Sequence, residues 1–323
     1  MPIPIEHGAT GEEVRDLHRR LAVAGFGVVN APLHTFTDST RAALEAFQRD
    51  RGLEPTGRCD KETWSVLVEA GYRLGDRHLY LQAPMLRGDD VAELQLRLGS
   101  LGFDAGRVDG IFGPKTEHAM AEFQRNAGLT TDGIAGRATI GELCRLGTLV
   151  DRSSPVAIVR ERERLRHAPR DLQGRRIVVG ELGGLDALTS ALGRSLREGG
   201  ATVLLLHEPD ESVQAAAANQ FDADVYVGLA ITDASAVSYF ATAGFESAGG
   251  RQLATMCRDA IHEVLGAEPS ATGMRMPILR ETRMPAVLCR VAPPEVVVVR
   301  TAELAHALAR AVAAWVSAPV ADA

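Results

Sequence analysis

Two stretches of the sequence carry residues that could do chemistry. In the second half, His207-Glu208-x-Asp210 follows an apolar run that reads as a strand, and open α/β sheets bind ligands beyond their strand ends. An imidazole beside carboxylates can ligate a metal or move a proton. One histidine with nearby carboxylates is a poor zinc donor set, however, and His207 reads equally as a loop residue. His262 and His306 fall inside helical patterns, on outer faces. Cys59, Cys144, Cys257 and Cys289 form no CxxC pair and stand far apart, so they read as free thiols of a reducing compartment. Gly180-Glu181-Leu182-Gly183-Gly184 is glycine-rich but lacks phosphate-loop or dinucleotide spacing. No Gly-x-Ser-x-Gly nucleophile turn occurs. In the first half, Asp109-Gly110-Ile111-Phe112-Gly113 and Asp132-Gly133 set carboxylates beside glycines. Such loops bend tightly, and their backbone and carboxylates can hydrogen-bond a sugar or peptide. Asp-Gly turns also occur in folds that bind nothing, which leaves a scaffold role open.

The elements that must hold these residues fall into two patterns. Val14, Leu17, Leu21, Gly25 and Phe26 recur 77 residues later as Val91, Leu94, Leu98, Gly102 and Phe103. Phe36, Phe47, Gln48, Gly52, Leu53, Gly57, Thr63 and Leu67 recur 76 residues later as Phe112, Phe123, Gln124, Gly128, Leu129, Gly133, Thr139 and Leu143. Within each copy, apolar residues at i, i+3 and i+7 make one helix face, and a glycine follows the last apolar turn. The spacing predicts three helices per copy, a bundle of about 65 residues near the lower size limit for a folded unit.

Residues 151–173 read as a polar helix or linker, with Arg160, Arg162, Arg164, Arg166 and Arg170 among Glu161, Glu163 and Asp171. Beyond Gly174, short apolar runs (176–179, 201–206, 224–229, 238–240, 286–291) alternate with helical patterns (188–198, 213–220, 250–265, 303–316). Buried strands between helices predict a mostly parallel sheet covered by helices on both faces. The fold class is thus α+β multidomain: two small helical bundles at 1–74 and 75–150, a charged segment at 151–173, and an α/β domain at 174–323.

Composition limits the function classes. A net charge of −7, from 35 basic and 42 acidic residues, argues against nucleic acid as a partner. No run approaches the roughly 18 apolar residues of a membrane span. The start, Met1-Pro2-Ile3-Pro4-Ile5-Glu6-His7, has no basic n-region and no apolar h-region, which predicts a cytoplasmic protein.

At this point the residues resemble known families. Val91-x-x-Leu94-x-x-x-Leu98, Gly102-Phe103, Val108-Asp109-Gly110-Ile111-Phe112-Gly113, Thr116, Phe123-Gln124, Gly128-Leu129, Asp132-Gly133 and Thr139 resemble the three-helix peptidoglycan-binding domain. The resemblance makes Asp109, Gly110, Phe112, Gly113, Gln124, Asp132 and Gly133 the ligand-binding candidates. Copy one departs, with Asn30-Ala31-Pro32-Leu33-His34-Thr35-Phe36-Thr37 in place of the first loop and Thr56-Gly57 in place of Asp132-Gly133.

The strings Gly174-Arg175-Arg176-Ile177-Val178-Val179, Gly183-Gly184, Gly200-Ala201-Thr202-Val203, Asp222-Ala223-Asp224-Val225-Tyr226-Val227 and Leu279-Arg280-Glu281-Thr282-Arg283-Met284-Pro285-Ala286-Val287-Leu288 resemble the zinc-dependent N-acetylmuramoyl-L-alanine amidases. That resemblance implies a zinc held by two histidines and a glutamate, with a catalytic glutamate late in the chain. Carried over one at a time, the first histidine position is Leu182 and the second is Ala230. The stretch for the glutamate ligand is cut to Leu185-Asp186-Ala187, and the catalytic glutamate position is Arg290. Zinc is the family's expected cofactor, yet these residues predict no metal and no catalysis. They leave a vestigial pocket of Glu181, Asp186, His207 and Arg290, in which the guanidinium would pair with Asp186 or Glu181, or with a bound carboxylate.

The helix Val14–Leu21 and the segments 70–80 and 88–92 narrow the resemblance to the CwlM-type family of actinobacteria. It implies a cytoplasmic regulator of peptidoglycan precursor synthesis that acts by binding. The partner would be a peptidoglycan fragment or precursor, or a protein of peptidoglycan biosynthesis. The competing readings are a working amidase or other peptidoglycan hydrolase, and an exported wall-binding protein.

Overall fold

The apolar spacing of Val14, Leu17 and Leu21 becomes the buried face of α1 (Glu12–Val23). In the computed structural model, which describes residues 4–147, 156–242 and 244–319, α1 packs with α2 (Asp38–Asp50) and α3 (Lys61–Glu69) around Leu17, Leu44, Phe47 and Leu67. The second copy repeats this with α4 (Asp89–Ser100), α5 (Pro114–Asn126) and α6 (Arg137–Gly147) around Leu94, Leu98, Phe123 and Leu143. The duplication extends to ring geometry. Phe26 meets Phe47 edge-on at 5.6 Å, and Phe103 meets Phe123 edge-on at 5.6 Å. The two copies lie in one unit, Met1–Ala157. An ion pair joins Arg51 to Asp89, and Arg77 lies 3.7 Å over the Tyr72 ring while its Nε donates to the buried Asp90 at 2.7 Å.

The second unit, Ile158–Ala323, is the α/β domain. Its strands are β1 (Arg176–Glu181), β2 (Thr202–His207), β3 (Val225–Ile231), β4 (Ala236–Thr242), β5 (Phe245–Glu246), β6 (Ser270–Met274) and β7 (Ala286–Val291). They lie in the order β2-β1-β3-β7-β4-β5, with β6 beside β4. The pairs β1–β2, β1–β3, β3–β7 and β4–β6 are parallel, whereas β4 runs antiparallel to β7 and β5. The sheet is therefore mostly parallel.

One face carries Ile177, Val179, Val225, Val227, Val287 and Cys289 into the main core under α8 (Asp186–Glu198), α10 (Ala248–Leu265) and α13 (Thr301–Ser317). The other face lies under α9 (Glu211–Gln220) and the short α11 (Pro277–Glu281). The short α12 (Pro294–Val299) leads into α13. Period-2 alternation explains the division, because successive side chains of each strand point to opposite faces.

The charged segment, read as a polar helix or linker, packs onto the α/β domain. From Val156 to His167 it is helix α7. Leu165 enters the main core, and Glu161 is buried, accepting from Ser247 Oγ at 2.6 Å and from the Ala248 N–H at 3.2 Å. Those two groups open α10, and a carboxylate is favoured at a helix N-terminus. Residues 151–155 of the segment, and the 150/151 boundary with them, lie outside the described residues.

Candidate functional site

The loops of the repeats are built around buried glutamines. Gln124 is 1% exposed and lies on α5. Its Oε1 accepts from the N–H groups of Asp132 (3.1 Å) and Gly133 (2.9 Å). Its Nε2 donates to Asp132 Oδ1 (2.8 Å), the Ile134 carbonyl (3.0 Å) and Thr139 Oγ1 (3.2 Å). Gln95 on α4 does the same for the other loop, accepting from Gly110 N–H and donating to Asp109 Oδ1, the Ile111 carbonyl and Thr116 Oγ1. Gln48 repeats the pattern in copy one with Gly57, Thr56, Arg58 and Thr63.

Each loop turns on a glycine in the left-handed region (Gly57 φ 65°, Gly110 φ 71°, Gly133 φ 71°), which any Cβ disfavours. The signal for this was in the sequence: Asp109-Gly110-Ile111-x-Gly113-x-x-Thr116 and Asp132-Gly133-Ile134-x-Gly136-x-x-Thr139 are the same string. In copy one His18 stands where Gln95 stands in copy two, and its Nε2 lies 2.9 Å from Thr40 Oγ1.

These contacts place the ligand-binding candidates within the fold. Phe112 is 0% exposed and offers no surface to a ligand. Gln124 is buried, and the Gly110 and Gly133 N–H groups are taken by glutamine oxygens. Asp109 Oδ1 and Asp132 Oδ1 each accept a glutamine N–H and the N–H two residues on. The hydrogen bonds from the Ile134 N–H and Gln124 hold the Asp132 carboxyl below the usual carboxylate range. Gly113 precedes Pro114 as the N-cap position of α5. Six of the seven candidates thus close or fill their own fold, and Gly113 starts a helix.

The second candidate region is the carboxyl edge of the sheet. Pairing sets Glu181 beside His207 on one side and Leu229 on the other, and sets Ala230 beside Arg290. The Leu182 N–H donates to the Leu229 carbonyl at 3.1 Å. Leu182, Ala230 and Arg290 therefore sit together at the ends of β1, β3 and β7. Zinc requires nitrogen, oxygen or sulfur donors. A leucine and an alanine supply none, and a guanidinium brings a fixed positive charge. These three positions do not fit a zinc ion.

Of the pocket read from the sequence, the structure brings three members together. His207 Nδ1 lies 2.9 Å from Asp186 Oδ1 and 3.3 Å from Glu181 Oε1. Arg290 takes other partners: its Nη2 donates to Ser238 Oγ at 3.2 Å and approaches Met274 Sδ at 3.5 Å. It also faces Glu211, whose carboxyl burial pushes above the usual range, against the pull of the Ile278 N–H and the Arg290 charge. The expected pairing of Arg290 with Asp186 or Glu181 is replaced by these contacts, because Arg290 sits on β7 and reaches toward β4 and β6.

A residue that sequence reasoning passed over positions this edge. Gln214 of α9 is fully buried and donates to the carbonyls of Glu181 (2.9 Å) and Glu208 (2.5 Å), while its Oε1 accepts from Tyr226 OH at 2.7 Å. It ties the ends of β1 and β2 to each other. Gly180 makes room for it, since a Cβ there would fall 1.9 Å from Gln214 Oε1.

Comparison with known proteins matches these two halves separately and together. Residues 10–67 and 87–143 match the family model of the peptidoglycan binding domain. The N-acetylmuramoyl-L-alanine amidase CwlL of Bacillus licheniformis is 29% identical over 160 residues, covering 43% of this chain and 44% of that relative. A crystal structure of an N-acetylmuramoyl-L-alanine amidase from Clostridium difficile 630 aligns at 16% identity with a TM-score of 0.38, covering 45% of this chain and 98% of that one. The N-acetylmuramoyl-L-alanine amidase CwlM of Mycobacterium tuberculosis is 36% identical over 293 residues, covering 80% of this chain and 72% of that relative. Two peptidoglycan-binding bundles followed by an amidase-like α/β domain, similar to CwlM along most of their length, place this chain in the CwlM family of N-acetylmuramoyl-L-alanine amidase homologues.

Proposed function

We propose that this chain is a non-catalytic, peptidoglycan-related binding protein that acts in the cytoplasm as a regulator or adaptor of peptidoglycan precursor synthesis. In this reading the second repeat, 75–150, does the binding beside the first, 1–74, and 174–323 is a degenerate amidase domain. The observation that carries it is the make-up of the β1–β3–β7 edge. Where the amidase resemblance requires zinc ligands and a catalytic carboxylate, that edge holds Leu182, Ala230 and an Arg290 engaged with Ser238. At the position of the catalytic carboxylate, Arg290 stays charged and takes no part in general acid–base chemistry near neutral pH. Its partner is a peptidoglycan fragment or precursor, or a protein of peptidoglycan biosynthesis.

The test is a cleavage assay on the purified full chain with defined muropeptides and added Zn2+, read by mass spectrometry. The expected result is an uncut bond between N-acetylmuramic acid and L-alanine, and release of the free peptide overturns the reading. Cell fractionation tests the location, since wall-bound protein in intact cells contradicts it. An affinity pull-down from cytosol, run with the second repeat intact and deleted, tests the assignment of binding to that repeat.

A further inference from the structure

Three side chains with metal-ligating atoms, each from a different element, converge where β1, β2 and α8 meet. Glu181 ends β1, Asp186 opens α8 and His207 ends β2. Their ligand atoms all lie within 4.8 Å of one another. We infer that Glu181, Asp186 and His207 form a binding site for one divalent transition-metal ion of the Zn2+ or Mn2+ class.

The geometry fits such an ion. Donors about 2.0–2.2 Å from a shared metal stand roughly 3–3.6 Å from each other, and His207 Nδ1 lies 2.9 and 3.3 Å from its two carboxylate oxygens. The site is also organised before any ion arrives. Glu181 Oε2 is held by the Gly183 N–H (2.7 Å) and the Leu185 N–H (3.2 Å), which leaves Oε1 facing His207. Gln214 fixes the carbonyl of the same residue.

The site is anchored at its base and open at its mouth. The Glu181 side chain is 6% exposed, against 40% for His207 and 77% for Asp186. Nothing lies within 4 Å of where a Cβ would stand at Gly183 or Gly184. Three protein donors with a solvent-facing side leave positions for water, as an incomplete ligand set requires. Two carboxylates and one neutral imidazole carry a charge near −2, which a dication neutralises. One histidine with neighbouring carboxylates in sequence is a poor zinc set, but the fold adds the buried Glu181 carboxylate to it; imidazole suits Zn2+ and carboxylate oxygen suits Mn2+.

The site lies on the β1–β2 side of the edge. Of the positions that the amidase resemblance gives to zinc, it overlaps only the shortened stretch 185–187 and uses neither Leu182 nor Ala230. The inference concerns binding of an ion and not hydrolysis, so it stands or falls separately from the non-catalytic reading above.

The experiment is isothermal titration of ZnCl2 and, separately, MnCl2 into the chelator-treated full chain. The wild type is compared with His207→Ala, Asp186→Asn and the neighbouring control Glu208→Gln. The expected result is saturable binding of one equivalent of Zn2+ or Mn2+, weakened about tenfold or more by each of the first two changes and unaltered by the third. Thermal melting guards against misfolding. Without metal the variants should melt with the wild type, and added metal should raise only the wild type and Glu208→Gln. Absence of saturable binding up to roughly 1 mM metal, or binding retained in either His207→Ala or Asp186→Asn, overturns the inference.

Discussion

Replacing Gln124 by methionine tests whether the second-repeat loop is scaffold. Methionine keeps the length and most of the volume, so little cavity cost enters. All five hydrogen bonds of the amide disappear. Asp132 is exposed and can turn to water, but the Gly133 N–H and Thr139 Oγ1 lie in buried residues. Each stranded buried group costs about 1–3 kcal/mol, so a loss of roughly 3 kcal/mol is expected once partial hydration is allowed. That is a large part of what a bundle of about 65 residues can hold, at roughly 0.05–0.15 kcal/mol per residue.

Hydrogen exchange of the full chain, read by mass spectrometry, measures the effect locally. Amides of 128–140 should lose protection by about 100-fold, since each 1.4 kcal/mol is a factor of ten. Peptides of the α/β domain should be unchanged. If Gln124 instead contacted a ligand, the change would weaken binding and leave exchange in the free protein alone. A loss of protection under about threefold would refute the scaffold argument.

Three further outcomes are expected. The lowered Asp132 carboxyl contributes stability that is complete above the unfolded value near about 4 and is lost as pH falls through the folded value; acid titration followed by exchange at 128–140 should show it, and Asp132→Asn should remove that pH dependence. Thiol labelling of the native chain should find one readily accessible cysteine, the half-buried Cys144, because Cys59, Cys257 and Cys289 are buried, burial pushes the Cys59 thiol up to about 12, and contact with Cys257 raises Cys289; two or more fast thiols would contradict this. Glu161→Ala should destabilise the α/β domain by about 2 kcal/mol through the lost contacts at the start of α10, measured by urea unfolding with Trp315, whose Nε1 donates to the nearby Gly249 carbonyl, as the probe; an unchanged midpoint would mean that α7 is not held by Glu161.

How much could be read from the sequence depends on how many residues share a signal. Val14, Leu17 and Leu21 repeat a helical spacing and were matched by Val91, Leu94 and Leu98, so both bundles were legible. The apolar runs that become β1, β3 and β7 gave the sheet. Strand β6, Ser-Ala-Thr-Gly-Met, was not legible, because it is short and only partly buried and carries a glycine. Helix α7 hides its two inward residues, Glu161 and Leu165, among its four arginines, so composition pointed to solvent. Gln124 was visible as a repeated residue, but a buried glutamine and an exposed one are written alike. Only the hydrogen-bonding atoms tell a loop that recognises something from a loop that holds itself.

The α/β domain divides its residues by the job that physics gives them. Ile177, Val179, Val225, Val227, Val287 and Cys289 point into one core and make the sheet stable. Glu181, Leu182, His207, Ala230 and Arg290 lie at the strand ends, where side chains pass from the core to the solvent. Exchanging a core residue leaves a cavity or a clash of several kcal/mol, while the open edge tolerates new side chains as long as buried polar groups keep partners. Several polar groups of this edge keep such partners. Gln214 satisfies the Glu181 carbonyl, Gly183 and Leu185 satisfy the Glu181 carboxylate, and Ser238 takes the Arg290 guanidinium. An amidase-like frame can therefore persist while the side chains at its edge change. Similarity along the whole chain then speaks to the frame, and what the protein does must be argued from the few side chains at the rim.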